Sequence, residues 1–322
     1  MMLPTLDQIH EARSIVYRHM PPTPQNSWPL LNERLDAETW MKHENHTPVG
    51  AFKLRGALVY CDWLKETHPG MKGVIAATRG NFGVGVSMAA RLSSLKAVIV
   101  VPHGNSIEKN HAARAQGAEL VEYGEDFQAS LEYARILSGQ RGFIMVESFH
   151  EQLVHGTATY ALEFFLGSPP LDIVYVPIGM GSSICGIAAA RNALKLSTEI
   201  VGVVSTEAPA VALSFAQHAI VPAPARTRIA DGMACRLPHP DAMEIIWQNV
   251  VRVVQVSDAE IIDAMRVCYE DTHNLAEGAG AASLAAALKE KAKLKGKRVG
   301  IILTGANVDR ETFAAVLAGT LQ

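Results

Sequence analysis

Cysteine is scarce in this sequence: four in 322 residues, at Cys61, Cys185, Cys235 and Cys268. They lie far apart with no Cys-x-x-Cys pair, so neither a disulfide framework nor a thiolate zinc site is expected. A basic excess is also absent. Twenty-nine Lys and Arg face 32 Asp and Glu, for a net charge of −3. Without surplus cations to neutralise phosphates, a nucleic-acid partner is not expected. No apolar run approaches the length of a bilayer span. The N-terminal stretch carries acids and no apolar signal core, so secretion is not expected and a reducing cytoplasm is the default. The sequon Asn45-His46-Thr47 is therefore read as chance. Of the twelve histidines, the pairs His43/His46 and His150/His155 have no third ligand at a familiar metal spacing.

What is present is an ordinary apolar content, 48%, in a chain long enough for two domains. Strand-like Val/Ile runs occur at Val74–Ala76, Ala97–Val101, Ile173–Ile178, Ile200–Val204 and Val299–Leu303. They lack polar alternation, which suits parallel strands covered on both faces. Ala-rich helical stretches alternate with them: Phe82–Arg91, Ser106–Ala115, Ser183–Leu196 and Gly280–Lys295. The pattern predicts an α/β fold with two open parallel sheets and flanking helices. Residues 47–150 form one unit, and residues 151–322 with 1–46 form the other. Pro222–Arg228 reads as a loop. A cleft between two such units is a natural ligand site.

Four segments could carry chemistry. In Gly50-Ala51-Phe52-Lys53-Leu54-Arg55-Gly56 a lone lysine opens a helical pattern. The helix dipole and partial burial both disfavour its cation, as an amine nucleophile requires. Alone, the segment reads more readily as a lysine with its stem along an apolar surface. Thr78-Arg79-Gly80-Asn81 follows a strand and opens a helix, an arrangement that offers backbone N–H groups to an anion or a plain Asn-capped turn. Gly179-Met180-Gly181-Ser182-Ser183 joins a strand to a helix and looks like a phosphate cradle. It lacks the Gly-Lys-Ser/Thr of a Walker A loop. It also suits an irregular dinucleotide fingerprint with Glu207 on the ribose. Thr304-Gly305-Ala306-Asn307 ends a buried strand with a hydroxyl that faces the crevice of an α/β sheet, or is simple turn chemistry.

In this order the four segments resemble the fold type II pyridoxal-phosphate enzymes, tryptophan synthase β-like in fold. The serine/threonine dehydratase and serine racemase branch matches best. The resemblance runs along nearly the whole chain, with further matches at Gly156-Thr157 with Glu163, Ile229-Ala230-Asp231-Gly232 and Glu277-Gly278-Ala279-Gly280. It implies that residues 1–46 and 151–322 bind pyridoxal 5′-phosphate while residues 47–150 form a smaller, cleft-closing substrate domain. It implies that Lys53 carries the cofactor as a Schiff base and then serves as base at the substrate Cα. Asn81 would bond the ring oxygen and Gly179, Met180, Gly181, Ser182 and Ser183 the phosphate. Thr304 would face the pyridine nitrogen, with Glu277 near the ring. Thr78, Arg79, Gly80 and Asn81 would receive the substrate carboxylate. The implied reaction is α,β-elimination of water from a threonine- or serine-like β-hydroxy amino acid, giving a 2-oxo acid and ammonia. The implied assembly is a homodimer.

The chain departs from that family in places. Ala51 and Phe82 replace a serine and a histidine, and Met and Ser replace loop glycines. Arg79 stands where a racemase carries its second acid/base serine, which disfavours racemisation and suits a carboxylate. Of the racemase-type metal ligands only Glu207 has a counterpart, since the second acid falls near Leu213; no metal is expected. The chain stops soon after the Thr304 turn, so no appended regulatory domain is expected. Within the family the alternatives are a 3-hydroxyaspartate or phenylserine-type dehydratase, a racemase, or elimination of another leaving group. Outside it stand an NAD-dependent oxidoreductase using the Gly179 loop with Glu207, and a non-catalytic amino-acid sensor.

Overall fold

The computed structural model describes residues 1–321. Helix α1 (Leu6–Tyr17) starts at a capping box: the Thr5 hydroxyl accepts from Gln8 N, and the Gln8 side chain accepts from Thr5 N. Then come β1 (Gln25–Ser27), α2 (Pro29–Leu35) and β2 (Glu38–His43). An unbroken alternation follows: α3 (Lys53–Thr67), β3 (Gly73–Ala77), α4 (Asn81–Leu92), β4 (Lys96–Val101), α5 (Ile107–Ala115), β5 (Glu119–Glu122), α6 (Phe127–Arg141) and β6 (Ile144–Met145). The long α7 (Glu151–Gly167) leads into β7 (Ile173–Pro177), α8 (Ser182–Ala193), β8 (Glu199–Ser205) and α9 (Ala210–Gln217). The chain closes with α10 (Pro240–Asn249), β9 (Arg252–Val256), α11 (Asp258–Thr272), α12 (Gly278–Lys289), β10 (Arg298–Leu303) and α13 (Arg310–Leu317).

The strands form two sheets, one ordered β1-β2-β10-β7-β8-β9 and the other β5-β4-β3-β6. All pairings are parallel except β1 with β2. The five Val/Ile runs are β3, β4, β7, β8 and β10, and β3 and β7 are buried along their whole length. β2 and β5 carry no such run. β5 is a half-exposed edge strand with Glu at both ends, so periodicity does not reveal it. The helical run expected to reach Lys295 stops at Lys289 and a short 3₁₀ turn, Lys291–Lys293, follows. Residues 222–228 are irregular, as their two prolines require.

Each sheet has its own core. Tyr175, Ile187 and Ile301 belong to the core of the six-stranded sheet, Leu58, Val74 and Ile99 to that of the four-stranded one. Helix α1 serves both: Ile9 packs in the first, Ala12 and Val16 in the second. Among the described residues no helix is long and apolar enough to cross a membrane.

A candidate active site between the two sheets

Parallel strands deliver their carboxyl ends to one edge of a sheet, where α/β proteins bind ligands. Here β3 leads to Thr78, β7 to Gly179 and β10 to Thr304, and all three residues line one cleft. Counted to its open mouth, the cleft holds about 990 Å³. The candidate site residues of the four segments all line it: Lys53, Thr78, Arg79, Gly80, Asn81, Gly179, Met180, Gly181, Ser182, Ser183 and Thr304, joined by Glu277.

Lys53 is the first residue of α3, preceded by Phe52 as N-cap. Backbone bonds fix this start against the Thr304 turn. Phe52 N donates to Thr304 O at 3.0 Å, Ala306 N donates to Gly50 O at 2.9 Å, and Ala51 bridges Gly305. Glu277 N donates to Gly305 O at 3.1 Å, so Lys53, Glu277 and Thr304 are held as one unit. The Lys53 amine lies 4.5 Å from the centre of the Phe52 ring. Surrounding protein strips its water and lowers its pKa to about 8, with the Glu277 charge acting the other way. Among the described residues no acid forms an ion pair with it.

Two residues on, Arg55 is fully enclosed. It donates to Glu44 at 2.7 Å and to Glu163 at 2.6 Å, while Lys42 reaches Glu163 at 2.6 Å. Helix α3 can press this close to α7 because Gly156 has no side chain: a Cβ there would collide with Arg55 O.

The Gly179–Ser183 segment meets the first turn of α8, whose N–H groups have no intrahelical acceptors. Gly181, the N-cap, takes φ +107°, a region that favours glycine. Ser182 and Ser183 are buried, and Ser183 Oγ pairs with the Tyr160 hydroxyl at 2.6 Å. Helix α7 supports the loop from below, with Thr157 Oγ1 donating to Ser182 O at 2.7 Å.

Opposite the lysine, Asn81 Nδ2 donates to Glu277 Oε1 at 2.5 Å, and Asn307 Nδ2 donates to Asn81 Oδ1 at 2.8 Å. Glu277 is 3% exposed. Burial raises its pKa, and nearby Lys109 opposes that rise. Lys109 and Asp231 are the charged groups that sequence reasoning leaves unassigned. Lys109 Nζ lies 2.7 Å from Asp231 Oδ2 and 3.2 Å from Glu277 Oε2. In sequence Lys109 is one more cation on a short helix, so no local signal marks it. Phe127, Ser148 and Cys235 also line the cleft unannounced. Burial pushes the Cys235 thiol up to about 11, so it stays protonated and inert near neutral pH.

Arg79 is exposed at the cleft wall, and among the described residues no acid pairs with it. Thr304 is buried, its Oγ1 3.4 Å from Ala279 O. Glu207 does not line the cleft. It sits exposed beyond the end of β8, so the ribose role weighed for it has no support in the geometry. Among the described residues no group of three His, Cys, Asp or Glu could hold a metal ion.

This set fits pyridoxal phosphate. An unpaired amine with a lowered pKa can bond an aldehyde, a helix N-terminus with two hydroxyls can take a phosphate, and buried polar groups flank the space between. Glu277 Oε2, buried on a residue that lines that space, has Lys109 Nζ at 3.2 Å as its charged neighbour.

Known proteins agree. A model of the pyridoxal-phosphate dependent enzyme family matches residues 16–305. The chain is 31% identical to an L-threo-3-hydroxyaspartate ammonia-lyase of Saccharomyces cerevisiae over 320 residues, 99% of this chain and 98% of that one. It is 31% identical to an L-threonine ammonia-lyase of Thermotoga maritima, covering 95% of this chain and 76% of the other. Maize serine racemase superposes with a TM-score of 0.91 at 27% identity, covering 99% of this chain and 98% of the other. The chain therefore belongs to the pyridoxal-phosphate dependent enzymes, in the fold type II architecture of serine racemase and threonine deaminase.

Proposed function

We propose that the protein is a dehydratase (ammonia-lyase) that eliminates water from a β-hydroxy amino acid to give a 2-oxo acid and ammonia. The observation that carries this is the fixing of Lys53 to the Thr304 turn, in the cleft that the Gly179–Ser183 loop also lines. Pyridoxal phosphate, when bound, supplies the electron sink that makes the α-proton of an amino acid removable. The Lys53 amine would hold the cofactor's aldehyde and, when free, would take the α-proton; a pKa near 8 leaves a usable neutral fraction at physiological pH. The amides and hydroxyls of Gly179–Ser183 hold the phosphate. Asn81 and Glu277 orient the ring. Thr78, Gly80 and the Asn81 backbone take the α-carboxylate at the N-terminus of α4, and Arg79 beside them is free to take a second carboxylate. Thr304 would offer the cofactor's ring nitrogen a neutral hydroxyl rather than a carboxylate. Such a partner would enforce no positive charge there, which would favour loss of a β-hydroxyl over reactions that need a long-lived carbanion.

Two relatives are named as hydroxyaspartate ammonia-lyases and two as threonine ammonia-lyases, all at 31–35% identity, so substrates of both kinds are in view. Arg79 in place of a hydroxyl removes the opposite-face proton donor and argues against a racemase. The free, buried thiols suit a reducing cytoplasm. The resemblance to dehydratases supports a homodimer, which sedimentation would test.

The deciding experiment is 2-oxo acid formation with added pyridoxal phosphate. The panel is L- and D-serine, L-threonine, L-allo-threonine, both 3-hydroxyaspartate diastereomers and phenylserine. We expect turnover of at least one member. Yellow protein that is silent across the panel overturns water elimination and leaves another leaving group, a racemase or a sensor.

A further inference from the structure

Lys109 belongs to the four-stranded side of the cleft, yet both its partners belong to the six-stranded side. Its helix, α5, lies between β4 and β5 in the chain. Asp231 opens a 3₁₀ turn after the 222–228 loop, and Glu277 caps α12. The stem of Lys109 is buried, 7% exposed, beside Gly80, where a Cβ would sit 3.0 Å from Lys109 Cδ. Two further contacts dock the start of the same helix on the six-stranded side. Ser106 Oγ donates to Asp309 Oδ1 at 2.6 Å, and Arg310 N donates to Glu108 Oε1 at 2.9 Å.

The charges near Glu277 are few. Lys109 comes from α5, Asp231 from the 3₁₀ turn and Lys53 from α3; α4 and the turn after β10 contribute only the neutral Asn81 and Asn307. Lys109 is thus the cation in ion-pair contact with Glu277, and Glu277 is the one charge felt at Lys53.

We propose that Lys109 is a positioning residue: by docking across the cleft on Asp231 and Glu277 it supplies the countercharge of the Glu277 carboxylate and so sets the charge felt at Lys53. The coupling has a fixed direction. With Lys109 in place, a buried carboxylate has its countercharge. With Lys109 withdrawn, burial drives Glu277 to its neutral acid, and the Lys53 cation loses its support. Lys53 then gives up its proton more readily. Docking of α5 on the six-stranded side thereby tunes the base. Asp231 is the outer half of the clasp, holding Lys109 in place while itself reaching solvent.

This inference rests on Lys53 being the cofactor lysine, and the test separates the two. The cofactor-free full chain is mixed with pyridoxal phosphate across pH 6–10, and the rate of uptake is followed by absorbance. Its midpoint reports the neutral amine of Lys53. Amide exchange of residues 106–115 reports docking of α5. Lys109→Met should move the midpoint down by at least one pH unit, a tenfold loss of proton affinity, and speed exchange in α5. Lys109→Arg should restore both. Asp231→Asn should speed exchange with a smaller shift. If Lys109→Met speeds exchange and leaves the midpoint in place, Lys109 is only a clasp and the coupling is overturned. If the Met variant does not fold, the Asp231→Asn midpoint decides in the same way. Wild-type chain that takes up no cofactor overturns the assignment of Lys53 instead.

Discussion

Arg55 holds Glu163 with both arms of its guanidinium, Nη1 2.6 Å from Oε1 and Nη2 2.9 Å from Oε2. The contact lies at the seam of α3 and α7, two residues from Lys53. It is shared with Glu44 and Lys42, so two cations and two anions are enclosed together. A bidentate pair fixes angle as well as distance. Burial alone would make the pair costly, and its use here is to fix where the helix of the lysine begins.

Glu163→Gln removes one anion and leaves Arg55 and Lys42 short of countercharge. Breaking a buried pair from one side costs about 3–5 kcal/mol. We expect a loss of that size in denaturant unfolding. Glu163 sits below the usual carboxylate range: burial pushes it up, but Arg55 and then Lys42 outweigh burial. Its stabilisation is therefore complete above the unfolded value, about 4.3, and drains away as pH falls through and below it. The variant should lose that part of the acid-side slope. An unchanged slope between pH 5 and 3 would show that the carboxylate contributes nothing.

Much of the fold and site is legible in sequence because buried parallel strands are written as plain Val/Ile runs, and the residues just after them face the crevice. That is how Thr78, Gly179 and Thr304 can be placed. Lys53 stands out through the order of the four segments; alone, its segment reads more readily as a lysine lying along an apolar surface. Lys109 is not legible, and Asp231 is legible only as part of the Ile229-Ala230-Asp231-Gly232 match, with no role attached. Their importance arises from two segments 122 residues apart meeting across the cleft, and neither has a local pattern that a period or turn could expose. Lys42 and Glu44 are hidden for the same reason: β2 looks polar, and only the enclosed network explains its charges.

The lowered pKa of Lys53 makes a kinetic prediction. Only the neutral amine attacks an aldehyde, so uptake of pyridoxal phosphate by the cofactor-free chain should rise with pH and level off above about 8. A rise continuing to pH 10 would mean that burial does not perturb this amine. Lys53→Ala should remove turnover by about 10²–10⁴-fold or more and abolish stable cofactor absorbance. Retained turnover would overturn the role assigned to the lysine.

Gly181 tests the phosphate loop. At φ +107° a side chain is strained, and a Cβ would lie 2.7 Å from the Ala242 Cβ. Gly181→Ala should cost about 1–3 kcal/mol and turn the amides of the loop away from a phosphate. We expect at least tenfold weaker binding of pyridoxal phosphate by equilibrium titration, with a smaller change for pyridoxal, which lacks the phosphate. Equal losses for both would show that the loop does not read the phosphate.

Arg79 tests which acid group the cleft recognises. It lines the cleft, and among the described residues it has no anionic partner, so its charge is free to meet a ligand. A charge-assisted contact is worth about 1.5–3 kcal/mol, so Arg79→Ala should raise KM about 10–100-fold where the contact is made. If Arg79 grips the α-carboxylate, serine, threonine and 3-hydroxyaspartate must all suffer alike. If it grips a carboxylate on the side chain, only 3-hydroxyaspartate suffers, and its preference over threonine collapses. Steady-state KM for the three substrates separates these outcomes. The backbone N–H groups at the start of α4 can already take an α-carboxylate without help from a side chain. An exposed cation beside them is therefore spare for a second carboxylate, and the selective loss is the outcome we expect. Unchanged KM for all three would place Arg79 outside the substrate's reach.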